Sequence, residues 1–251
     1  MSLKLPEAFD RQNRVFAIDA LRGFAMVYIM LYHLFYDLFH FSNIRLAFFF
    51  TDWWEVLHIV FVSLLFIVSG ISTHFSRNSL KRGVIVFFLG QLITLVTAVA
   101  VNITNNKNLL IVFGVLTFIG LSMMIYSLIR PGIEKLKIPW ITLFIISIIL
   151  FVVFLIYPPH SFISSNNNWL YPLGILGSGF FSADYFPLVP YFFIFLAGTA
   201  LAAPIISKKF PQFFYRLRIK PLEFIGRHSL LFYIVHQPAI IVILFLLSGV
   251  I

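Results

Sequence analysis

The sequence contains no cysteine. This absence excludes a disulfide framework, a thiolate metal site and a cysteine nucleophile. Charged side chains are also scarce, because they make up 11% of the 251 residues, against roughly 25% in an average soluble domain. Hydrophobic residues account for 61% of the chain, and its mean hydropathy is +0.99. A soluble domain of this length could not bury so much apolar surface, so the composition predicts a polytopic membrane protein.

Seven apolar runs are each long enough to cross about 30 Å of hydrocarbon. Their lengths exclude a transmembrane β-barrel, whose strands are about ten residues of alternating polarity. We therefore predict an all-α bundle of about seven transmembrane helices, built as a single integral-membrane domain over residues 1–251. The predicted spans lie near 16–38, 55–72, 83–102, 109–130, 139–157, 187–206 and 228–251.

The basic residues alternate with these spans. Sixteen of the 18 Lys and Arg residues fall on one side, and only Arg45 and Lys107 fall on the other. By the positive-inside rule, the N-terminus is predicted in the cytoplasm and the C-terminus outside, across the plasma (cytoplasmic) membrane. The same rule accounts for the net charge of +9 without nucleic acid as a partner. The longest outer connection, residues 158–186, has no Lys or Arg.

Four ionisable side chains lie within the first predicted span: Asp19, Arg22, His33 and Asp37. At 100° per residue they share one helical stripe about 60° wide. Charged groups in hydrocarbon are costly and are functional candidates by default. The alternative is an ion-pair stripe that only positions helices.

His33 is the predicted general base of this stripe. Asp37 follows it by one turn on the same face and is within reach of its ring. A carboxylate in that position can fix the imidazole tautomer and stabilise the imidazolium. Arg22 precedes His33 by 11 residues, or about 16 Å of helix rise, which places Arg22 near the cytoplasmic mouth.

The last predicted span carries a second polar set. Arg227 and His228 stand at its cytoplasmic start, where they could meet phosphate with the help of the helix N-terminus; for Arg227, a plain positive-inside role is an equal alternative. His236 and Gln237 lie at membrane depth and are predicted to line the same cavity. The spacing of the histidines supports no metal site.

Asp184 precedes the sixth predicted span. Two interpretations stay open for it. It either caps that helix from outside or binds the amine or hydroxyl of an acceptor.

Several motifs resemble one known family. Residues 14–38, RVFAIDALRGFAMVYIMLYHLFYDL, resemble the opening helix of the heparan-alpha-glucosaminide N-acetyltransferase-like catalytic domain family, within the wider group of transmembrane acyltransferases. Three further segments are similar to that family: SGIS at 69–72, DYFPLVPYF at 184–192 and GRHSLLFYIVHQP at 226–238. The eukaryotic members are much longer and have a lumenal domain, so the acceptor does not carry over.

The resemblance implies an enzyme that moves an acyl group, most simply acetyl, from cytoplasmic acyl-CoA to a carbohydrate or amino-sugar-like acceptor. In this scheme Arg22, Arg227 and His228 bind the coenzyme A donor, acetyl-CoA. His33 and Asp37 carry the catalysis. The predicted acceptor-site residues are Asp19, Asp184, His236 and Gln237. The other expected partner is the lipid bilayer, and a homodimer stays open.

Two rival functions remain at this point. A proton-coupled small-molecule transporter could use the same His/Asp/Arg stripe as a relay, although the sequence has no internal repeat of the kind common in carriers. A non-catalytic partner subunit would tolerate apolar replacement of the stripe.

Overall fold

The computed structural model describes residues 14–41, 47–163 and 168–248. Over these ranges the chain is helical and contains no strand. The all-α prediction is therefore confirmed. The α-helices of the described part are α1 (Phe16–Phe41), α2 (Asp52–Thr73), α3 (Ser79–Thr104), α4 (Val115–Lys135), α5 (Trp140–Ile156), α6 (Leu188–Ile206), α7 (Gln212–Arg216), α8 (Lys220–Arg227) and α9 (Ser229–Ser248).

Most of these helices have membrane-spanning character. α1, α2, α3, α4 and α6 are each long and apolar enough to cross a bilayer, and α8 with α9 forms a sixth candidate bent by 86°. α5 is apolar but has only 17 residues. Each of the seven predicted runs thus coincides with a helix, and the multi-pass character is confirmed. The orientation of the termini stays a prediction.

Two predicted boundaries differ from the structure. α4 begins at Val115 rather than near 109, because residues 107–109 form a separate single turn and Phe113 has a positive φ of 61°. The last passage does not begin as one straight helix at 228. The chain turns sharply at His228, between α8 and α9. Residues 164–167 of the predicted outer connection lie outside the described residues.

The chain divides into two compact units. Within the described ranges, the terminal unit comprises residues 14–68 and 210–248, and the central unit comprises residues 69–209. α2 contributes its residues through Val68 to the terminal unit and its last turn to the central unit. That the whole chain forms one functional domain stays a prediction.

Within the terminal unit, α1 and α8 meet backbone to backbone at two glycines. A Cβ atom on Gly226 would run into the carbonyl oxygen of Asp19, and one on Gly23 would run into that of Leu222. Small residues let helices approach this closely. The contact therefore depends on the absence of side chains at both positions.

An ion pair fixes α8 in the same unit. The Glu223 side chain is buried, and its two oxygens accept hydrogen bonds from Nε and Nη2 of Arg218 at 3.0 and 3.3 Å. The Arg218 guanidinium also lies 3.6 Å from the ring centroid of Phe16 on α1. A charge buried this deeply needs such a partner, because desolvation without one is costly.

The central unit turns large apolar side chains outward. α3 is largely exposed and carries Phe88, Leu92 and Leu95 on its outer face, and α5 exposes Ile145 and Ile149. Exposed aliphatic and aromatic groups on a helix of spanning length are typical of lipid contact. The composition that predicted a membrane protein thus maps onto these outer faces.

Candidate functional site

A buried hydrogen bond joins α1 and α9 within the terminal unit. Gln237 Nε2 donates to Asp37 Oδ2 at 2.8 Å, and Asp37 is only 1% exposed. Sequence periodicity placed both residues at membrane depth, and the structure brings them together. The expected contact from Asp37 to the His33 ring is not made in the described residues. The amide of the facing helix supplies the donor that a buried carboxylate needs.

Two histidines face each other beside this pair. The ring centroids of His33 on α1 and His236 on α9 are 5.0 Å apart. His33 is half-buried, whereas His236 is 8% exposed. His236 Nδ1 lies 2.7 Å from the carbonyl oxygen of Tyr233. Since a carbonyl can only accept, Nδ1 carries the proton and Nε2 is the bare nitrogen of the neutral ring.

Three acceptor atoms of this cluster have no hydrogen-bond donor in the part of the chain that the structure describes. They are Asp37 Oδ1, Gln237 Oε1 and His236 Nε2, and all three are buried. Buried polar atoms are nearly always paired, so an unpaired set marks a functional candidate. We define Asp37, Gln237, His33 and His236 as the polar cluster. It presents acceptors and therefore suits a ligand that brings donors.

Arg22 and Asp19 lie at the other end of α1. Arg22 Nη1 donates to Asp19 Oδ1 at 3.4 Å and to the Gly226 carbonyl oxygen at 3.3 Å. Arg14 Nε donates to Asp19 Oδ2 at 2.6 Å. These contacts give Asp19 two cationic partners and give Arg22 a part in holding α8 against α1. The structure thus assigns both residues a structural role, and their predicted ligand roles stay predictions.

Arg227 and His228 lie at the corner between α8 and α9, and both are exposed. Arg227 Nε donates to the Glu223 carbonyl oxygen at 3.2 Å, and His228 Nδ1 donates to that of Phe224 at 2.9 Å. α9 begins at the next residue, Ser229. The expected setting, a cation beside a helix N-terminus, is therefore present.

Asp184 lies in the central unit. Its side chain contacts the N-terminus of α4 and not that of α6, the sixth predicted span. Its Oδ2 accepts a hydrogen bond from the Val115 amide at 3.4 Å, at the N-terminus of α4. The cap position of α4 is Gly114, which has no side chain to cap with. α6 begins after Pro187 without a side-chain cap. The interpretation of Asp184 as a cap of the sixth span is thus corrected, because the α4 terminus takes the carboxylate.

A second polar contact, which is partly buried, has no signature in the sequence patterns. His74, just after α2, has Nε2 2.8 Å from the Tyr126 hydroxyl on α4. Burial and, to a smaller extent, the nearby Arg130 guanidinium lower the pKa of His74 to about 3. This ring is neutral at physiological pH. A single histidine directly after the end of α2 is a weak signal, and its partner lies 52 positions away.

The described residues contain no group of three His, Asp or Glu side chains arranged to hold a metal ion.

Comparison with known families places the geometry in context. Residues 14–238 match the family described as heparan-alpha-glucosaminide N-acetyltransferase, catalytic. The match covers most of the 251 residues and includes every member of the polar cluster. No curated protein and no solved structure matches the chain. The family match confirms the resemblance found in the motifs, and the chain belongs to the heparan-alpha-glucosaminide N-acetyltransferase catalytic family of membrane acyltransferases.

Proposed function

We propose that this protein transfers an acyl group, most simply acetyl, from cytoplasmic acetyl-CoA to an amine or hydroxyl of a carbohydrate or amino-sugar-like acceptor. The observation that carries the proposal is the polar cluster. It puts a half-buried histidine next to three unpaired acceptor atoms between two membrane-embedded helices, α1 and α9. Groups of this kind in a membrane protein are retained for function.

His33 is the general base of the proposed reaction. It removes a proton from the acceptor amine or hydroxyl, and the freed lone pair attacks the thioester carbonyl. The new C–N or C–O bond forms, the C–S bond breaks, and the proton passes from His33 to the leaving coenzyme A thiolate. Asp37, one turn further along α1, stabilises the imidazolium by its charge. Attack is direct, without an acyl-enzyme intermediate.

The unpaired hydrogen-bond acceptor atoms suit a sugar-like substrate as the group that receives the acyl. Asp37 Oδ1 and Gln237 Oε1 need hydrogen-bond donors, and sugar hydroxyls and amines supply several. A site lacking those donors would leave two buried oxygens unsatisfied, at about 1–3 kcal/mol each. Asp19 and Asp184 are proposed as further contacts to the acceptor, although each already has protein partners.

The donor is proposed to bind at the opposite end of α1. Arg22, Arg227 and His228 supply cationic and hydrogen-bonding groups for the phosphates of coenzyme A. Arg22 precedes His33 by about 16 Å of helix rise, which is the length scale of a pantetheine arm. The thioester can therefore reach His33 while the nucleotide stays near the membrane surface.

Ligand-induced stabilisation tests the donor. Purified protein in detergent is heated with coenzyme A, acetyl-CoA or longer acyl-CoAs, and a bound donor present well above its Kd raises the unfolding temperature. Arg22→Ala should weaken this effect, and Arg22→Lys should restore it only in part because the bidentate geometry is lost. Unliganded stability is measured in parallel, since Arg22 also contacts Gly226.

Turnover tests the base. His33→Ala should lower the rate of acetyl transfer by about 10²–10⁴-fold while acetyl-CoA still raises the unfolding temperature. His160→Ala, at an exposed turn, is the matched control and should behave as wild type. Full turnover in His33→Ala would contradict the assignment of the base. If no acyl-CoA changed the unfolding temperature and no acetyl transfer were measured, the enzymatic function would be contradicted and a proton-coupled transporter would be favoured.

A further inference from the structure

His236 has one ring nitrogen committed to the protein backbone. Its Nδ1 lies 2.7 Å from the Tyr233 carbonyl oxygen and 3.2 Å from that of Phe232. Both partners accept only, so the proton stays on Nδ1 whenever the ring is neutral. Nε2 is then an acceptor with a fixed direction. It is buried and has no donor in the part of the chain that the structure describes.

The neighbour of that nitrogen is His33. The two ring centroids are 5.0 Å apart, close enough for a small ring rotation to bring a His33 nitrogen within hydrogen-bond distance of His236 Nε2. His33 makes no hydrogen bond within the described ranges. Asp37 Oδ2 is occupied by Gln237, and its other oxygen, Oδ1, makes no hydrogen bond to His33 in this structure. The ring that faces His33 is that of His236, so His236 is the stronger candidate for orienting the base.

Exposure separates the roles of the two histidines. His33 is half-buried and is accessible to a ligand, while His236 is only 8% exposed. The other titratable groups near His33 are Tyr32, whose ring centroid is 5.9 Å away, His58, which stacks on Tyr32 with ring centroids 3.9 Å apart, and Asp37, which is held by Gln237. Of the buried atoms without a donor, His236 Nε2 belongs to the ring that faces His33 across the α1–α9 contact.

We propose that His236 is the positioning residue of His33. Its Nε2 accepts a hydrogen bond from one ring nitrogen of His33, which leaves the other nitrogen bare and directed at the acceptor substrate. When His33 takes the substrate proton, the shared N–H of the imidazolium stays on His33 and its hydrogen bond to His236 strengthens. This inference rests on the proposed acetyl transfer and adds the group that sets the tautomer of its base.

Three substitutions at position 236 test the arrangement. A glutamine side chain can present an oxygen near the place of Nε2, whereas asparagine is too short and phenylalanine offers no acceptor. His236→Phe and His236→Asn should lower kcat by about 10²–10⁴-fold, the range for a lost or misdirected base, with the acetyl-CoA effect on unfolding temperature unchanged. His236→Gln should recover at least tenfold over His236→Phe. Leu231→Phe, on the exposed face of α9, is the matched control.

A double variant separates positioning from independent catalysis. If His236 acts only through His33, the pair His33→Ala and His236→Phe should be no slower than His33→Ala alone, because residues that act as a unit are not additive. A further loss of tenfold or more in the double variant would overturn the proposal. So would a His236→Gln variant as slow as His236→Phe, since a group that itself takes the proton is not replaced by an amide.

A spectroscopic measurement keeps this inference separate from the proposed function. Nitrogen-15 spectra of ring-labelled protein report the protonated nitrogen of each histidine. The His33 signals, identified by their loss in His33→Ala, should show a hydrogen-bonded N–H that disappears in His236→Phe. An intact pair in a protein with no acetyl transfer would contradict the proposed function alone. Acetyl transfer without the pair would contradict only the role of His236.

Discussion

Gln237 and Asp37, which are 200 positions apart in the chain, are joined by one 2.8 Å hydrogen bond across the α1–α9 contact. Asp37 is buried, and no other described residue donates to its side chain. The amide of Gln237 is thus what makes burial of this carboxyl group tolerable.

Removing that amide should destabilise the protein. Gln237→Leu leaves the Asp37 carboxyl group without a donor and should lower the free energy of unfolding by about 1–3 kcal/mol. Asp37→Asn keeps an oxygen for Gln237 Nε2 and should lower it less. Denaturant unfolding in detergent measures both variants. Equal losses, or a loss only in Asp37→Asn, would show that the bond does not carry this stability.

The close α1–α8 contact predicts that a single added methyl group at Gly226 lowers the stability of the protein. In Gly226→Ala the new Cβ meets the Asp19 carbonyl oxygen, so the helices must separate, at a cost of about 1–3 kcal/mol for overpacking. Gly132→Ala is the matched control, because nothing lies within 4 Å of its Cβ position. That variant should be neutral or slightly stabilised. Equal thermal midpoints for Gly226→Ala and Gly132→Ala would contradict this prediction.

Replacing Arg218 and replacing Glu223 should have unequal effects on stability. Glu223 is 0% exposed, while the Arg218 side chain is half-exposed. Arg218→Ala leaves a buried carboxylate alone and should cost more than Glu223→Ala, up to about 3–5 kcal/mol. Joint replacement, Arg218→Met with Glu223→Leu, should recover most of the loss. Unfolding midpoints of the three variants decide this, and a double variant no better than Arg218→Ala would speak against it.

We expect His74 to make the folded protein less stable at acidic pH. Its pKa is about 3 in the folded protein, whereas an unfolded histidine has a pKa near 6.5. Between these values the unfolded chain binds a proton that the folded chain does not, so stability falls as the pH drops from about 6.5 toward 3, by at most about 1.4 kcal/mol per pH unit. Above pH 6.5 this group has no effect.

The matched variant is His74→Gln, which keeps an amide near the Tyr126 hydroxyl and removes the titration. Its unfolding free energy should fall less steeply than that of wild type between pH 6.5 and 4.5. Parallel curves for the two proteins over this interval would exclude His74 as the source of the acid sensitivity.

The predicted orientation can be read with single cysteines, since the chain has none of its own. Arg77→Cys, at an exposed position between α2 and α3, is expected in the cytoplasm. Trp169→Cys, where the native side chain is 82% exposed, is expected outside. A membrane-impermeant thiol reagent applied to intact cells should label position 169 and not 77, and the reverse pattern would invert the topology.

Much of this structure could be predicted from hydropathy and periodicity. The positions of the helices follow from long apolar runs, and the charged stripe of α1 follows from residue spacing along a single helix. Both signals are local. They are sufficient to mark four residues as candidates: His33, Asp37, His236 and Gln237.

The partners themselves could not be predicted, because they depend on contacts between distant segments. Periodicity placed Asp37 within reach of His33, but the facing amide of Gln237 takes the carboxylate. One of the two interpretations open for Asp184 made it a cap of the adjacent helix, although its carboxylate accepts from the N-terminus of α4, 69 positions earlier. The corner at His228 was hidden because the amphipathic residues of α8 directly precede a continuous apolar run.

The terminal unit is assembled from the first and last parts of the chain, so its order of synthesis matters. α1 leaves the ribosome about 200 residues before α8 and α9. Until then Asp37 lacks Gln237 and Arg22 lacks the Gly226 carbonyl, so the first span is synthesised well before these two partners of its ionisable groups. A nascent chain stopped before residue 210 lacks every α1 contact made by α8 and α9, and is an obvious substrate for membrane quality control.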